Sequence, residues 1–404
     1  MGALSHIRVL DLSRVLAGPW ATQILGDLGA EIIKIEKPGE GDETRAFGPP
    51  FLESARETHG DAVYFLAANR NKKSVTIDFS RPEGAALVRR LARRAHVVVE
   101  NFKTGTLARY GLDHAALAAD NPALVYCSLT GFGQDGPYSQ RPGYDFLIQG
   151  MAGLMSITGQ PDGSAGGEPL KVGVAVSDLF AGLYACIAIQ AALIHQSRTG
   201  EGQAIDMALF DCQVAALANQ AQNYLAGGMV PARLGNAHPN IVPYQVFATS
   251  DGHLVLAVAN DRQFHCFCRA AGRETLARDP RFATNAARVA NREALIADLR
   301  AVLAARKTSE WISCLEAENV PCGPIQGVDQ VFADPQAMAR GLKIELPRDG
   351  GAVSLVASPL RLSRTPPEYH SAPPLLGEHT HAVLSQLLEL SETEISALRQ
   401  SGVV

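Results

Sequence analysis

Charge is scarce in this chain of 404 residues, and aromatic side chains are scarcer: charged residues make up 19% and aromatic ones 6%. Lys and Arg number 36 against 41 Asp and Glu, a formal net charge of -5 with no basic stripe. Nothing in that balance argues for a nucleic-acid surface or an anionic membrane. Cysteine is sparse and odd in number, with seven residues: Cys127, Cys186, Cys212, Cys266, Cys268, Cys314 and Cys322. Most sit inside apolar runs, which fits reduced, buried thiols in a cytoplasmic protein rather than a disulfide framework. The only Cys/His cluster, His265-Cys266-Phe267-Cys268, lacks the spacing of a zinc site, so no metal is expected. Phosphate-binding loops are missing too. Gly39-Glu40-Gly41 is a loop rather than a strand-to-helix turn, and no glycine-rich loop ends in Lys-Ser or Lys-Thr. The opening residues Met1 to His6 lack the charged-then-apolar profile of a signal peptide.

What is present is a hydrophobic content of 47%, enough to bury the cores of two domains or one large one. The first third alternates strand and helix signals. Ile7 to Leu10, Glu31 to Ile35, Ser74 to Ile77, His96 to Glu100 and Leu124 to Leu129 read as strands. Gly18-Pro19 opens a helix that ends at Gly29, with Pro suited to the first helical position. Ser80-Arg81-Pro82-Glu83 reads as a capping box for a helix reaching about Arg94. Residues 37–60 read mostly as loop, and 203–217 as a strand and then a helix. Strands alternating with helices imply an α/β fold with a mostly parallel sheet covered on both faces. Ligands gather at the carboxyl ends of such strands. A composition shift at Gly227-Gly228 precedes a hairpin, 244–258, and helices near 261–272, 288–305 and 308–318. The expected layout is a large domain over 1–227, a smaller α+β domain over 228–330, and a linker with a return to the large domain over 331–404. Ser391-Glu392-Thr393-Glu394 should cap a terminal helix.

One stretch carries a chemical question. The run Val172-Gly173-Val174-Ala175-Val176 stops at Ser177-Asp178, and a long apolar segment then continues to about His195. It reads as an extended segment feeding a buried helix, with a single carboxylate at the joint. Taken alone, Ser177 or Asp178 is a helix cap, because either oxygen accepts from free first-turn N–H groups. The alternative is a carboxylate held in a dry wall to do chemistry. The long segment has polar breaks at Tyr184, Cys186 and Gln190 and reads as a core helix rather than a membrane span.

Several pieces, in order, resemble the class III CoA-transferase family (CaiB/BaiF type). They are Val9 to Pro19, Leu28 to Glu36, Asn69-Arg70-Asn71-Lys72-Lys73-Ser74, and Glu100-Asn101-Phe102 with Arg109 after it. Gly173 to Asp178 and Thr199-Gly200-Glu201-Gly202-Gln203 complete the set. The resemblance spans nearly the whole chain. It implies a Rossmann-like large domain built from both chain ends, a small central domain, and two subunits threaded through each other as an interlocked homodimer. Ile241 to Gln245, Val320 to Ile325, Pro373 to His379 and Ser401 to Val404 are most similar to the branch that moves CoA between succinate and glutarate.

The resemblance makes Asp178 the nucleophile. Stripped of its hydration, a carboxylate attacks a thioester carbonyl, giving an acyl anhydride and then an aspartyl-CoA thioester. Helix-end N–H groups are expected to keep it ionised, and no metal or tightly bound cofactor is needed. Coenzyme A and acyl-CoA enter as substrates, with small carboxylic acids as the other partners. Leu16 and Ala17 match positions near the thiol arm. Lys37, Asn101, Phe102, Lys103 and Arg109 match positions at the nucleotide end, and Ile77 to Ser80 a backbone stretch at the adenine. Surface charge for Lys37 and Arg109, and core packing for Phe102, are the competing explanations. Tyr144 and Asp145 match a tyrosine–carboxylate pair beside the nucleophile; an Asx turn after Gly143 competes for Asp145. His238, in Gly235 to Asn240, is either a substrate contact or a surface loop residue. Arg45 and Arg70 are candidates to read a distal carboxylate.

Related α-methylacyl-CoA racemases carry histidine where this chain has Tyr144. Phenol is a poor base near neutral pH, so racemisation is disfavoured. An acyl-CoA racemase, an intramolecular CoA transfer and a CoA-binding protein without turnover stay open as alternatives to transfer between two acids.

Overall fold

Six strands form one parallel sheet in a computed structural model that describes residues 2–52, 60–349 and 351–404. They are β1 (Arg8–Asp11), β2 (Glu31–Glu36), β3 (Lys72–Thr76), β4 (Val97–Glu100), β5 (Val125–Thr130) and β6 (Ala204–Ala208). The order across the sheet is β3-β2-β1-β4-β5-β6. The chain therefore reverses its direction of travel between β1 and β4, which pair directly. A crevice outside the strand ends opens at such a switch point.

The strands are short and apolar because both faces are covered. Side chains alternate between two cores, as a period of two requires. Val9, Ile32, Val97, Val99, Val125 and Cys127 face one core with the helices Ala17–Asp27 and Val176–Thr199. Leu10, Ile33, Val98 and Tyr126 face the other, with the helix Pro82–Ala92 and the C-terminal helices Thr380–Leu388 and Glu392–Gln400. The C-terminal segment is thus part of this second core. Asp78 N–H donates to Val403 C=O at 2.8 Å, and Asn71 Nδ2 to Glu368 C=O at 2.8 Å.

The chain divides into two units. One comprises Met1–Leu154, Val172–Ala226 and Gln336–Val404; the other comprises Met155–Lys171 and Gly227–Pro335. Residues 155–171, read from sequence as part of the large domain, group with the second unit. That unit carries a three-stranded antiparallel sheet, β7 (Tyr244–Ala248), β8 (His253–Ala257) and β9 (Cys322–Pro324), over a core of Phe247, Phe264, Phe267, Phe282 and Trp311. The helix read over 288–305 is two, Asn285–Ala290 and Arg292–Leu303, broken at Asn291.

Local signals had mixed outcomes. The capping box at Ser391 forms, with Glu394 N–H donating to Ser391 Oγ and Ser391 N–H to Glu394 Oε2. The box at Ser80 does not. Ser80 Oγ donates to Asp78 instead, and the helix starts at Pro82 without a side-chain cap. All seven cysteines are free thiols, four of them buried. Of the loop read over 37–60, residues 53–59 lie outside the described residues.

Candidate active site

The switch point places two loops side by side, one leaving β1 and one leaving β4. A latch joins them. Asn101 Oδ1 accepts from Arg14 N–H at 2.8 Å, and Asn101 Nδ2 donates to Arg14 C=O at 2.7 Å. Glu100 ties the second loop, accepting from Phe102 N–H at 2.8 Å and from the Ser128 hydroxyl. Burial pushes the Glu100 carboxyl up to about 7. Beyond the latch Val15 is left-handed, with φ 67°. A β-branched residue there costs on the order of 1–3 kcal/mol and persists only where its surroundings hold it. Asp42 Oδ1, accepting from Val15 N–H at 3.2 Å, is part of that hold. The strained turn leads into the first turn of the helix Ala17–Asp27.

Asp178 comes from the opposite wall. The segment 172–175 is irregular rather than a strand, and the helix Val176–Thr199 follows. Neither Ser177 nor Asp178 caps it. Ala175 is the N-cap residue, and Ser177 is buried with its hydroxyl donating to Gln213 Oε1 at 2.8 Å. Asp145 supplies the missing acceptor. Its Oδ1 takes the Ser177 N–H at 2.8 Å, and its Oδ2 the Gln149 Nε2 at 2.7 Å. Gln149 Oε1 in turn accepts from Val172 N–H at 2.9 Å. Asp145 also begins the helix Asp145–Met151, so it is not an Asx turn closed on itself. The expectation that helix-end N–H groups hold Asp178 ionised is corrected in this detail: the Ser177 donor goes to Asp145. Asp178 is left half-buried, and lost hydration, with the Asp145 charge as a smaller contribution, pushes its carboxyl up to about 7.

Asp178 lines a cavity of about 210 Å³ with Leu16, Ala17, Asn101, Phe102, Lys103 and Tyr144. A second cavity of about 840 Å³ shares Arg14, Glu43 and Phe102 with it and is lined by Lys37, Ile77, Phe79 and Ser80. Ten sequence-predicted positions thus fall along two neighbouring hollows, and Phe102 borders both. Phe102 meets Phe79 edge-on at 5.5 Å and lies under the Arg14 guanidinium at 4.6 Å. Lys37 is exposed and pairs with Glu40 at 2.6 Å. Ile77 is packed in the second core. Tyr144 is 69% exposed.

Others are placed elsewhere. Arg109 sits on the 3-10 turn Leu107–Tyr110 and lines neither hollow. His238 belongs to the second unit, where Nδ1 accepts from Asn240 N–H at 3.0 Å and the ring meets Tyr244 edge-on at 5.3 Å. Arg45 and Arg70 are not free to read a substrate. Arg45 is buried between Glu36 at 2.7 Å and Asp61 at 2.9 Å, and Arg70 pairs with Asp27 at 2.5 Å. Moving either would strand buried carboxylates.

Sequence reasoning missed Arg14, Val15, Thr104 and Arg141, all on the Asp178 cavity. It also missed Tyr64, whose phenol is pushed up by burial and then by the charges of Asp178, Asp145 and Asp42. Arg14 and Val15 stand inside the recognised run from Val9 to Pro19, but nothing in that run signals a left-handed valine.

Residues 4–380 match the family described as CoA-transferase family III. The chain belongs to that family. This CoA-transferase is 52% identical to the succinate–glutarate CoA-transferase of Agrobacterium fabrum, over 96% of this chain and 97% of the relative. It is 42% identical to the succinyl-CoA:glutarate CoA-transferase of Homo sapiens, over 99% and 90%. Among solved structures, a CAIB/BAIF family protein from Brucella suis superposes with TM-score 0.84 at 52% identity, covering 96% of this chain and 99% of that one. Rv3272 from M. tuberculosis gives 0.81 at 31%, covering 94% and 98%.

Proposed function

We propose that this CoA-transferase moves CoA from succinyl-CoA to a second small dicarboxylic acid such as glutarate, with Asp178 as the nucleophile. The observation carrying the reading is a single half-buried carboxylate, poorly hydrated, on a cavity at the switch point of the sheet. Raised basicity goes with raised nucleophilicity once the group is ionised. Relatives named for succinate or succinyl-CoA and glutarate support the substrate pair.

In the first step an Asp178 carboxylate oxygen attacks the succinyl carbonyl. The carbon–sulfur bond breaks, leaving a succinyl-aspartyl anhydride and CoA thiolate. The thiolate attacks the aspartyl carbonyl, releasing succinate and leaving an aspartyl-CoA thioester. The glutarate carboxylate then attacks that thioester, and the thiolate returns to the glutaryl carbonyl. Glutaryl-CoA leaves and the Asp178 carboxylate is restored. Each step exchanges one acyl linkage for another, and water must be kept out or the anhydride is hydrolysed. The pantetheine arm would run past Leu16 and Ala17, beside Asn101 and Lys103, toward the larger hollow, with Lys37, Ile77, Ser80 and Phe102 serving the nucleotide end. Tyr144 and Asp145 flank the reaction, and His238 is a candidate substrate contact.

The protein would act in the cytoplasm as an interlocked homodimer. The long helix supports the pairing, because Leu183, Ile187 and Ile194 on one of its faces are 45%, 61% and 62% exposed. By length and composition this helix could also cross a membrane. Its opposite, alanine-rich face packs on the sheet core, as a soluble core helix does.

The test is CoA exchange between succinyl-CoA and a panel of free acids, with wild type and Asp178→Ala side by side. Transfer to glutarate is expected, with a loss of about a thousandfold or more in the variant. With succinyl-CoA and hydroxylamine, mass spectrometry should find an aspartyl hydroxamate at Asp178. Absence of transfer to every acid would remove the proposal.

A further inference from the structure

The cavity at Asp178 contains three cationic side chains, Arg14, Lys103 and Arg141, and their circumstances differ. Arg14 is neutralised by Glu43. Lys103, on the loop leaving β4, is exposed, as Arg141 is, but no aromatic ring holds it among the described residues. Arg141 meets no carboxylate among the described residues, yet it is held in place. Its guanidinium lies over the Tyr138 ring at 4.6 Å and the Phe132 ring at 5.6 Å. Those rings meet edge-on at 5.5 Å, and Phe132 leans on Phe210 at 5.9 Å. Arg141 N–H also donates to Tyr138 C=O at 2.8 Å.

The loop bearing this arginine is pinched at its neck. A Cβ built on Gly131 would fall 2.6 Å from the Gly143 Cα, and one on Gly143 would fall 2.4 Å from the Gly131 Cα. Only two glycines permit that approach. The neck closes the loop directly beside Tyr144, and both glycines line the Asp178 cavity.

We infer that Arg141 is the residue that reads the distal carboxylate of the dicarboxylate substrates, acid and acyl-CoA alike. This rests on the CoA-transfer reading given above. Stacking occupies the faces of a guanidinium and leaves its N–H edge for an oxyanion. A carboxylate matches that edge with two parallel hydrogen bonds. Holding the arginine by rings rather than by an acid leaves its charge uncompensated until substrate arrives. Its immobilisation is met by the loop, not by the ligand. The same edge would suit a phosphate of CoA, so the test must separate the two anions.

Arg141→Gln removes the charge and keeps much of the stem; Arg141→Lys keeps the charge and loses the fork. Transfer through a covalent enzyme intermediate makes each kcat/KM report its own half-reaction. With Arg141→Gln, kcat/KM for glutarate and for succinyl-CoA should each fall about ten- to a hundredfold, the loss of a charged hydrogen-bonded pair. Arg141→Lys should fall between Arg141→Gln and wild type. Calorimetric binding of free CoA should stay within about twofold of wild type in both variants, because CoA lacks the distal carboxylate. Weakened CoA binding in proportion to the loss on succinyl-CoA would assign Arg141 to a phosphate and overturn the inference. An unchanged kcat/KM for glutarate would overturn it as well. A wild-type enzyme that transfers CoA to no acid would instead bring down the underlying reading, and this inference with it.

Discussion

Asp178 and Asp145 share one helix start but face different surroundings. Asp145 is hydrogen-bonded by Ser177 N–H and Gln149. Asp178 is pushed up to about 7 by lost hydration and then by the neighbouring charge. Under the proposed mechanism only the ionised Asp178 attacks, so kcat/KM for the acyl-CoA should rise with pH through about 7 and then level. Asp145→Asn keeps an oxygen acceptor for Ser177 N–H and deletes the like charge. Removing a like charge lowers a carboxyl pKa, so the rise should move to more acid pH. A pH–rate profile of the two proteins checks this, and an unmoved profile would show that Asp145 does not act on Asp178 through its charge. At this scale a lone carboxylate ahead of an apolar run was visible in the sequence. The errors at Arg45 and Arg70 arose because their partners are brought by the fold: Asp61 and Asp27 stand 16 and 43 residues away. A basic residue in a loop shows its charge in sequence, but not who has already claimed it.

The long helix owes its position to one glycine. Gly182 lies one turn beyond Asp178, and a Cβ on it would stand 2.7 Å from the Ala17 carbonyl oxygen and 3.1 Å from Trp20 Cδ1. Helix and helix therefore cross in near-backbone contact where Ala17 and Asp178 line one cavity. Gly182→Val should push the crossing apart. We expect a fall in kcat of about tenfold or more, since ångström-scale misplacement of a reacting group costs about that or more. Thermal melting should show a lower Tm, and retained kcat would mean that the crossing does not set the position of Asp178 for turnover. Strand and helix order was legible because buried parallel strands write themselves as apolar runs. The irregular segment before Asp178 was not. Its β-branched residues look like a strand, but Val172 N–H finds Gln149 rather than a neighbouring strand.

Across the large unit, the recognisable Asn69 to Ser74 motif turns out to be internal wiring. Lys72 is 1% exposed and donates to Asp11 Oδ2 at 3.1 Å, Asn69 Oδ1 at 3.0 Å and Pro19 C=O at 3.0 Å. Lys34 joins Asp42 at 2.8 Å, and Ser74 Oγ donates to Glu36 at 2.6 Å. Lys72→Met leaves Asp11 without its ammonium partner, and urea unfolding should show a loss of about 3–5 kcal/mol. Burial pushes the Lys72 ammonium down to about 8 from 10.5. The unfolded chain then holds the extra proton between those values, so this group's cost is full below pH 8 and fades as pH rises to 10.5. The wild type should gain stability relative to Lys72→Met across that window. A family motif can thus consist largely of buried contacts that hold the sheet together. The C-terminal return has a different kind of consequence. Val403 bonds Asp78, Glu368 and Ser371 bond Asn71, and Val383, Leu384 and Ile395 fill the core begun by β1 to β4. The ribosome must therefore deliver the stretch from Glu368 to Val403 before the opening hundred or so residues can close their core, and until then that early-made apolar surface stays open.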